Sequence, residues 1–303
     1  MMEATRKKEG SMVKIFSFTE YKTENGQASP FEGINFDALP LPERSPEEEA
    51  LYAAQELAYD AWDAATSEES IALAQKALEI SPFCVDAYNI LADHSRTYNN
   101  AVVLYQKAAA IGEHSLGEDF FQAYMGDFWG ILETRPYMRA RAGIVECLLA
   151  FDDKKSAIKH CKELLKLCPN DNLGMRYILM ALLLETGKNS QAETLYKRYK
   201  KDYSAIWFYA RSLLDFRKHG DGDIANASLQ AAFAINKFVP DYLLQKKKIP
   251  AATPPYYSPG NRDEAILLAK DYLPAWQASE GAMQWLDKTC QQYMPKRKKS
   301  KTG

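Results

Sequence analysis

The 303-residue chain lacks the features of a secreted, disulfide-stabilised or membrane-spanning protein. Its five cysteines are an odd and sparse set, which excludes a disulfide framework in a chain of this length. The longest apolar run, Ile178 to Leu184, is much shorter than the roughly 20 residues that cross a membrane. No apolar segment of signal-peptide length follows the basic start. We therefore expect a soluble protein of the cytoplasm, with a nuclear location through the basic C-terminal tail as the alternative.

An excess of one charge is also absent. Lys and Arg number 38 against 40 Asp and Glu, which gives a net charge of -2. Dedicated nucleic-acid-binding proteins usually carry a basic excess, so nucleic acid is not the expected partner. With 15 glycines, 14 prolines and 47% hydrophobic residues, the composition excludes collagen-like and low-complexity chains and is typical of a folded protein.

Motifs that carry known chemistry are missing. The chain contains no phosphate-binding GxxxxGK[ST], no GxSxG and no HExxH. His160 and Cys161, with Cys147 and Cys168, are the one combination that resembles a metal site. They lack the close Cys or His pairs of zinc sites, so we expect the cysteines to pack as small apolar residues. The sequence predicts no enzyme, no cofactor, no metal and no small-molecule substrate.

The chain divides into three parts. Residues 1–46 are rich in Gly and Pro and are predicted to be an irregular arm, with a short strand or extended segment within 12–21. Residues 47–290 consist of amphipathic stretches of helix-forming residues, and a helix start is predicted at Ser45 and Pro46. Residues 291–303 are a basic tail that we expect to be disordered. The fold class predicted is therefore all-α.

A repeated pattern runs through residues 47–290. Five segments place a small residue, a bulky residue four positions later and a third marker seven positions after the first. Most steps between them lie near 34 residues, the period of the tetratricopeptide repeat. One longer step predicts an aromatic-rich helical insertion at about 112–135. The markers are Ser70, Ala74 and Ala77; Ala101, Tyr105 and Ala108; Ala157, Cys161 and Leu164; Ala192, Tyr196 and Tyr199; and Ala225, Leu229 and Ala232.

The pattern resembles the tetratricopeptide-repeat superfamily, which implies a right-handed superhelical array of antiparallel helix pairs. Residues 128–141 and the C-terminal segments are similar to the repeat region of the suppression of tumorigenicity 7 family and its bacterial relatives. That resemblance brings no enzymatic activity. The C-terminal residues that carry it are Asn236, Val239, Pro240, Tyr242, Leu243, Leu244, Trp276, Gly281, Ala282 and Leu286.

The resemblance implies a concave groove lined by the first helix of each pair, and such grooves bind peptides or helices. We predict a protein-interaction scaffold that binds a peptide or a partner subunit there. Two alternatives stay open: an enzyme with an unrecognised site near the aromatic insertion, and RNA binding through the repeats and the basic tail. The predicted groove residues are Tyr52, Tyr59, Asn89, Asp93, Arg96, Arg139, Glu146, Tyr177, Trp207 and Arg211.

Arg139 is expected to project into this groove from a first helix that begins near Pro136. A surface arginine contributes little to folding, so Arg139→Glu is expected to change stability by less than about 0.5 kcal/mol. The same change is expected to weaken the binding of an acidic partner segment.

Overall fold

The computed structural model describes residues 44–254 and 256–293. Contacts divide the chain into Met1–Pro46 and Glu47–Gly303. The proposed strand within 12–21 and the tail from residue 294 lie outside the described residues. In the described ranges the regular structure is entirely helical, so the predicted all-α class is confirmed.

Fourteen α-helices follow one another along the described part of the chain. Two short 3-10 turns, Phe128–Gly130 and Leu132–Thr134, precede the sixth. The helices are α1 (Pro46–Trp62), α2 (Ser67–Ile80), α3 (Val85–Asp93), α4 (Tyr98–Leu116), α5 (Glu118–Ala123), α6 (Arg135–Ala150), α7 (Lys154–Leu167), α8 (Met175–Glu185), α9 (Asn189–Arg198), α10 (Ala205–His219), α11 (Asp223–Ile235), α12 (Val239–Leu243), α13 (Arg262–Gln277) and α14 (Ala282–Tyr293).

Local sequence explains where several helices begin. Helix α1 begins at Pro46, as predicted, and three glutamates occupy its first turn near the positive end of the helix dipole. Thr66 and Thr97 cap α2 and α4, because each hydroxyl accepts the N–H of the residue three positions later. Ser204 caps α10 in the same way. These caps separate the helices at the short breaks seen in the sequence.

The helices form antiparallel pairs, and the repeat markers lie in the second helix of each pair. The pairs are α1–α2, α3–α4, α6–α7, α8–α9 and α10–α11. Thirteen of the fifteen markers are buried, and Ala108 and Ala232 are 0% exposed. Tyr196 and Tyr199 are the partly buried exceptions. Small side chains therefore let neighbouring helices approach closely, and the predicted array of helix pairs is confirmed.

Helices α4 and α6 lie very close together at Gly143. A Cβ atom added at Gly143 would lie 2.4 Å from the ring of Tyr105, so only glycine fits between these helices. The Tyr105 hydroxyl donates a hydrogen bond to Asp93, which holds the ring in place. This contact fixes the position of α6 relative to α3 and α4.

The aromatic insertion is a packed cap on this contact. Helix α4 continues to Leu116, and the short α5 and the two 3-10 turns follow before α6. Phe128 is fully buried and lies against Phe121 and Tyr137, with ring centroids 4.9 and 6.4 Å away. Thr134 is buried as well, and its hydroxyl donates to backbone carbonyls of the turns. The insertion therefore adds core to the second and third pairs.

The last helices do not continue the pairs. Helix α13 packs against α8 and α10, which are both first helices, and α14 packs against α11 and α12. Helix α14 runs to Tyr293, so residues 291–293 of the predicted tail are helical. Along 44–254 and 256–293, no helix combines the length and apolar character needed to span a bilayer.

Candidate functional site

The first helices α1, α3 and α6 carry six of the ten predicted groove residues. Tyr52 and Tyr59 are seven positions apart and share one side of α1. Arg96 follows α3 in an exposed loop. We call the shared surface of these three helices the open groove. Its residues are Tyr52, Tyr59, Trp62, Asp93, Arg139 and Glu146, whereas the predicted groove residue Asn89 is buried at 2% exposure.

A buried carboxylate lies at the centre of the open groove. The Asp86 side chain is 0% exposed, and Arg139 donates to both of its oxygens, with Nε 2.9 Å from Oδ1. Gln55 Nε2 donates to Oδ2 at 2.9 Å, and Asn89 Nδ2 donates to Oδ1 at 3.0 Å. Burial of a charge is tolerated when it is paired and fully hydrogen-bonded. The network therefore ties α1, α3 and α6 together.

The position of Arg139 differs from the sequence expectation. Its guanidinium does project from a first helix, but it is bound to Asp86 and lies 4.7 Å from the ring of Trp62. Because a second carboxylate would face a buried one, we now expect Arg139→Glu to lower stability, in place of the unchanged stability expected from the sequence. The arginine is a structural member of the groove floor.

Exposed aromatic rings border this ion pair on α1. Tyr52, Tyr59 and Trp62 are 50%, 46% and 41% exposed, and the last two rings lie 5.9 Å apart. Burial of its hydroxyl and the nearby charge of Asp86 raise the pKa of Tyr59. Large aromatic side chains that keep this much exposure in a folded protein are typical of interaction surfaces.

The other end of the open groove is acidic. Asp93 on α3 and Glu146 on α6 keep contact with solvent. Burial raises the pKa of both carboxyls, and the charge of Asp93 raises the pKa of Glu146 further. Such raised values indicate carboxyls that neighbouring protein atoms shield in part from water. On α13, Lys270 lies near Glu146, and burial raises the pKa of Asp271 beside it.

The remaining predicted groove residues lie elsewhere. Trp207 is 1% exposed and packs among the rings of Tyr177, Tyr196 and Tyr199, with centroids 5.8 to 6.2 Å away. Arg211 pairs with Glu193 on α9 and with Asp215. Trp207 and Arg211 therefore hold α10 against the preceding pair, and Tyr177 is half-buried in the same cluster.

Helix α13 covers the first helices at this point. The Tyr272 hydroxyl donates to the backbone oxygen of Tyr177 at 3.0 Å, and Glu264 accepts the N–H of Ala205 at 3.1 Å. Tyr272 and Trp276 are fully buried. The chain thus places one of its own helices on the face formed by α8 and α10.

Four residues of the site were missed from the sequence: Trp62, Asp86, Lys270 and Asp271. Two of them could have been identified from their spacing in the sequence. Trp62 is three positions after Tyr59, and Asp86 precedes Asn89 and Asp93 by three and seven positions, so both share a helical face with predicted residues. Lys270 and Asp271 could not be found in this way, because α13 comes near Glu146 only through tertiary packing.

The site offers recognition groups more than catalytic ones. Among the described residues, no cluster of three or more His, Cys, Asp or Glu side chains is arranged to hold a metal ion. All five cysteines are free and buried, and burial raises the pKa of Cys161 to about 12, which makes its thiol unreactive. The described aromatic side chains of the insertion pack on one another and on Tyr137.

Comparisons with known proteins agree on one family. The family model described as ST7 protein matches residues 45–302. The chain is 25% identical over 288 residues to Protein ST7 homolog of Caenorhabditis elegans. The aligned region covers 83% of this chain and 53% of that protein. It therefore spans about half the length of the curated relative it matches.

A solved structure is also similar. YrrB, described as a TPR protein with an unusual peptide-binding site, matches with 16% identity and a TM-score of 0.44, over 62% of this chain and 85% of that one. Because the family model covers more than half of the sequence, including all fourteen helices, the chain belongs to the ST7 protein family.

Proposed function

We propose that the chain is a protein-interaction scaffold that binds a segment of a partner protein in the open groove. The observation that carries this proposal is α13. This helix packs on α8 and α10, which are both first helices. The molecule itself therefore contains a helix bound to the face that first helices form. On α1, α3 and α6 no described segment covers the equivalent face, and Tyr52, Tyr59 and Trp62 stay exposed.

The charge of the groove favours a basic partner segment. Arg139 is already neutralised by Asp86, whereas Asp93 and Glu146 have raised pKa values and only Lys270 among the described cations acts on Glu146. A Lys or Arg side chain placed between these two carboxylates would relieve their repulsion. Aliphatic or aromatic neighbours in the same segment would pack on the α1 rings. The acidic partner considered from the sequence fits less well.

Replacing the α1 tyrosines tests the site. Full-length chain is used to capture partners from the native source, and the recovered proteins are quantified by mass spectrometry. We expect Tyr52→Ala/Tyr59→Ala to lower recovery of a specific partner about tenfold, which corresponds to ~1.4 kcal/mol. Tyr98→Ala is the control, since Tyr98 is 56% exposed on the second helix α4. Equal loss with Tyr98→Ala, or full recovery with the α1 variant, would contradict the proposal.

Binding in the groove should also depend on pH. The raised pKa values of Asp93 and Glu146 mean that these carboxyls take up protons at a higher pH than ordinary carboxyls do. A basic segment binds their ionised forms, so its affinity is expected to fall as pH is lowered from neutral toward the carboxyl range. Titration of the captured partner at several pH values checks this. Asp93→Asn/Glu146→Gln should bind more weakly at neutral pH and show a flatter profile, and identical profiles for both proteins would exclude contact with these carboxylates.

A further inference from the structure

The array separates charge along its length. From Ser45 to Asp93 there are eleven acidic residues and one lysine, Lys76. From Lys154 to Lys201 there are eleven Lys and Arg residues and four acidic ones. The net charge of -2 hides this asymmetry, because the two regions nearly cancel.

Eight exposed cations of the second region lie on α7, on α9 and in the turn that follows α9. Lys155, Lys159, Lys162 and Lys166 are exposed at helical spacing on α7. The cationic surface, as we call it, consists of these four with Lys197, Arg198, Lys200 and Lys201. In the ranges the structure describes, only Lys159 among them lies within reach of a carboxylate, at 3.9 Å from Glu163. The other seven have no carboxylate partner in these ranges, although Lys162 donates to Gln191 Oε1 and Arg198 donates to the Leu165 carbonyl.

Two adjoining clefts indent the cationic surface, and Arg198 lines both. The first has a volume of about 290 Å³ and lies between α7 and α9, with a floor of leucines that includes Leu179 and Leu183 from α8. The second has a volume of about 500 Å³ and is lined by Lys200, Lys201 and the exposed Tyr203. The surface thus combines positive charge with slots for side chains, which suits a folded acidic surface that carries apolar groups.

The first helix pair has that complementary chemistry. Nine acidic residues lie between Pro46 and Ile80, and all nine are exposed. Large apolar side chains stand among them: Leu51 and Ile80 are 36% and 40% exposed, and Phe83 is 53% exposed. Because the α3–α4 pair lies between α1–α2 and the cationic surface, the two surfaces cannot meet within one chain.

We propose that the cationic surface of one chain binds the acidic α1–α2 pair of a second copy. The contact is heterologous, since different surfaces meet, and a heterologous contact leaves one free surface at each end. The chain therefore associates head to tail into open assemblies whose size grows with concentration and falls with salt. The contact is tested through charges on α2 and α7, two helices that carry none of the open-groove residues.

Sedimentation velocity of the full chain tests the association. At about 50 mM salt, the weight-average sedimentation coefficient should rise with protein concentration, and at about 500 mM salt the rise should be much smaller because exposed charges are screened. If the sedimentation coefficient in low salt equals that of a monomer at every protein concentration, the proposal is wrong.

Charge reversal identifies the two surfaces. Lys162→Glu/Lys166→Glu makes both surfaces acidic, and Glu68→Lys/Glu79→Lys weakens the acidic one, so each variant alone should associate at least about tenfold more weakly. An equimolar mixture should recover association, because each variant then supplies the surface that the other lacks. Lys218→Glu/Lys248→Glu is the control, as both lysines are exposed on other elements. Circular dichroism melts confirm that the variants fold.

The outcomes distinguish self-association of the chain from binding of another anionic molecule by the cationic surface. Recovery in the mixture, with the control variant unchanged, supports the head-to-tail contact. A mixture that does not recover overturns it, as does loss of association in the control variant. If the wild-type chain stays monomeric while it binds a generic RNA or phosphatidylserine vesicles through Lys162 and Lys166, the cationic surface serves a polyanion and the proposal is wrong.

Discussion

Arg139→Glu is expected to lower the free energy of unfolding by about 3–5 kcal/mol, the cost of leaving a buried charge without its partner. The substitution removes both hydrogen bonds that Asp86 receives from the guanidinium and places a second carboxylate beside a side chain with 0% exposure. Gln55 and Asn89 would still donate to Asp86, but neither carries a positive charge. Urea or thermal unfolding followed by circular dichroism measures the loss.

Arg96→Glu is the matched control for this experiment. It makes the same change of charge at an exposed position near the end of α3, where the described residues offer no ion pair. We expect it to change stability by less than about 0.5 kcal/mol. If Arg139→Glu unfolds like Arg96→Glu, the Asp86 network does not hold α1, α3 and α6 together. Asp86→Leu/Arg139→Leu should cost less than Arg139→Glu, since it removes both charges at once.

Trp207→Ala is expected to cost about 3–5 kcal/mol, the usual range for deleting a buried tryptophan or phenylalanine. Trp207 is 1% exposed, and the rings of Tyr177, Tyr196 and Tyr199 surround it. Its removal would leave a cavity where α8, α9 and α10 meet. The measurement is the same unfolding experiment.

Trp62→Ala provides the comparison for this second result. Trp62 is 41% exposed and has Arg139 over its ring, a contact worth about 1 kcal/mol or less at an exposed site. We therefore expect Trp62→Ala to fold almost as stably as the wild type and to lose partner binding in the open groove. A Trp207→Ala protein as stable as Trp62→Ala would show that the ring cluster is not a core.

The helix pairs could be predicted from the sequence because their signal is local. Small residues spaced at four and seven positions, as in Ala225, Leu229 and Ala232, report which side of a helix faces its neighbours, and all three are 0% exposed. The capped starts of the helices follow from residues within one turn. These rules need no knowledge of what lies far away in the chain.

The site could be predicted only in part, because a first helix has both an inner and a lateral side. Tyr59, Asp93 and Glu146 face the open groove, whereas Trp207 and Arg211 turn toward the preceding pair. Aromatic and arginine residues occur on both sides, so residue type does not separate them. Arg139 was placed in the right helix, but its partner Asp86 lies 53 residues earlier and had no local signal that linked the two.

The placement of α13 on α8 and α10 has a consequence for the order in which the protein matures. Tyr272 contacts Tyr177 across 95 residues of sequence. A ribosome that adds about 5–20 residues per second needs roughly 5–20 s to make that stretch. In the later part of this interval, after His219 has been added, the nascent chain holds complete α8 and α10 helices whose inner face has no cover. During synthesis that face is therefore accessible for a limited time to chaperones or to wrong partners. It becomes inaccessible when α13 has been made and packs on it.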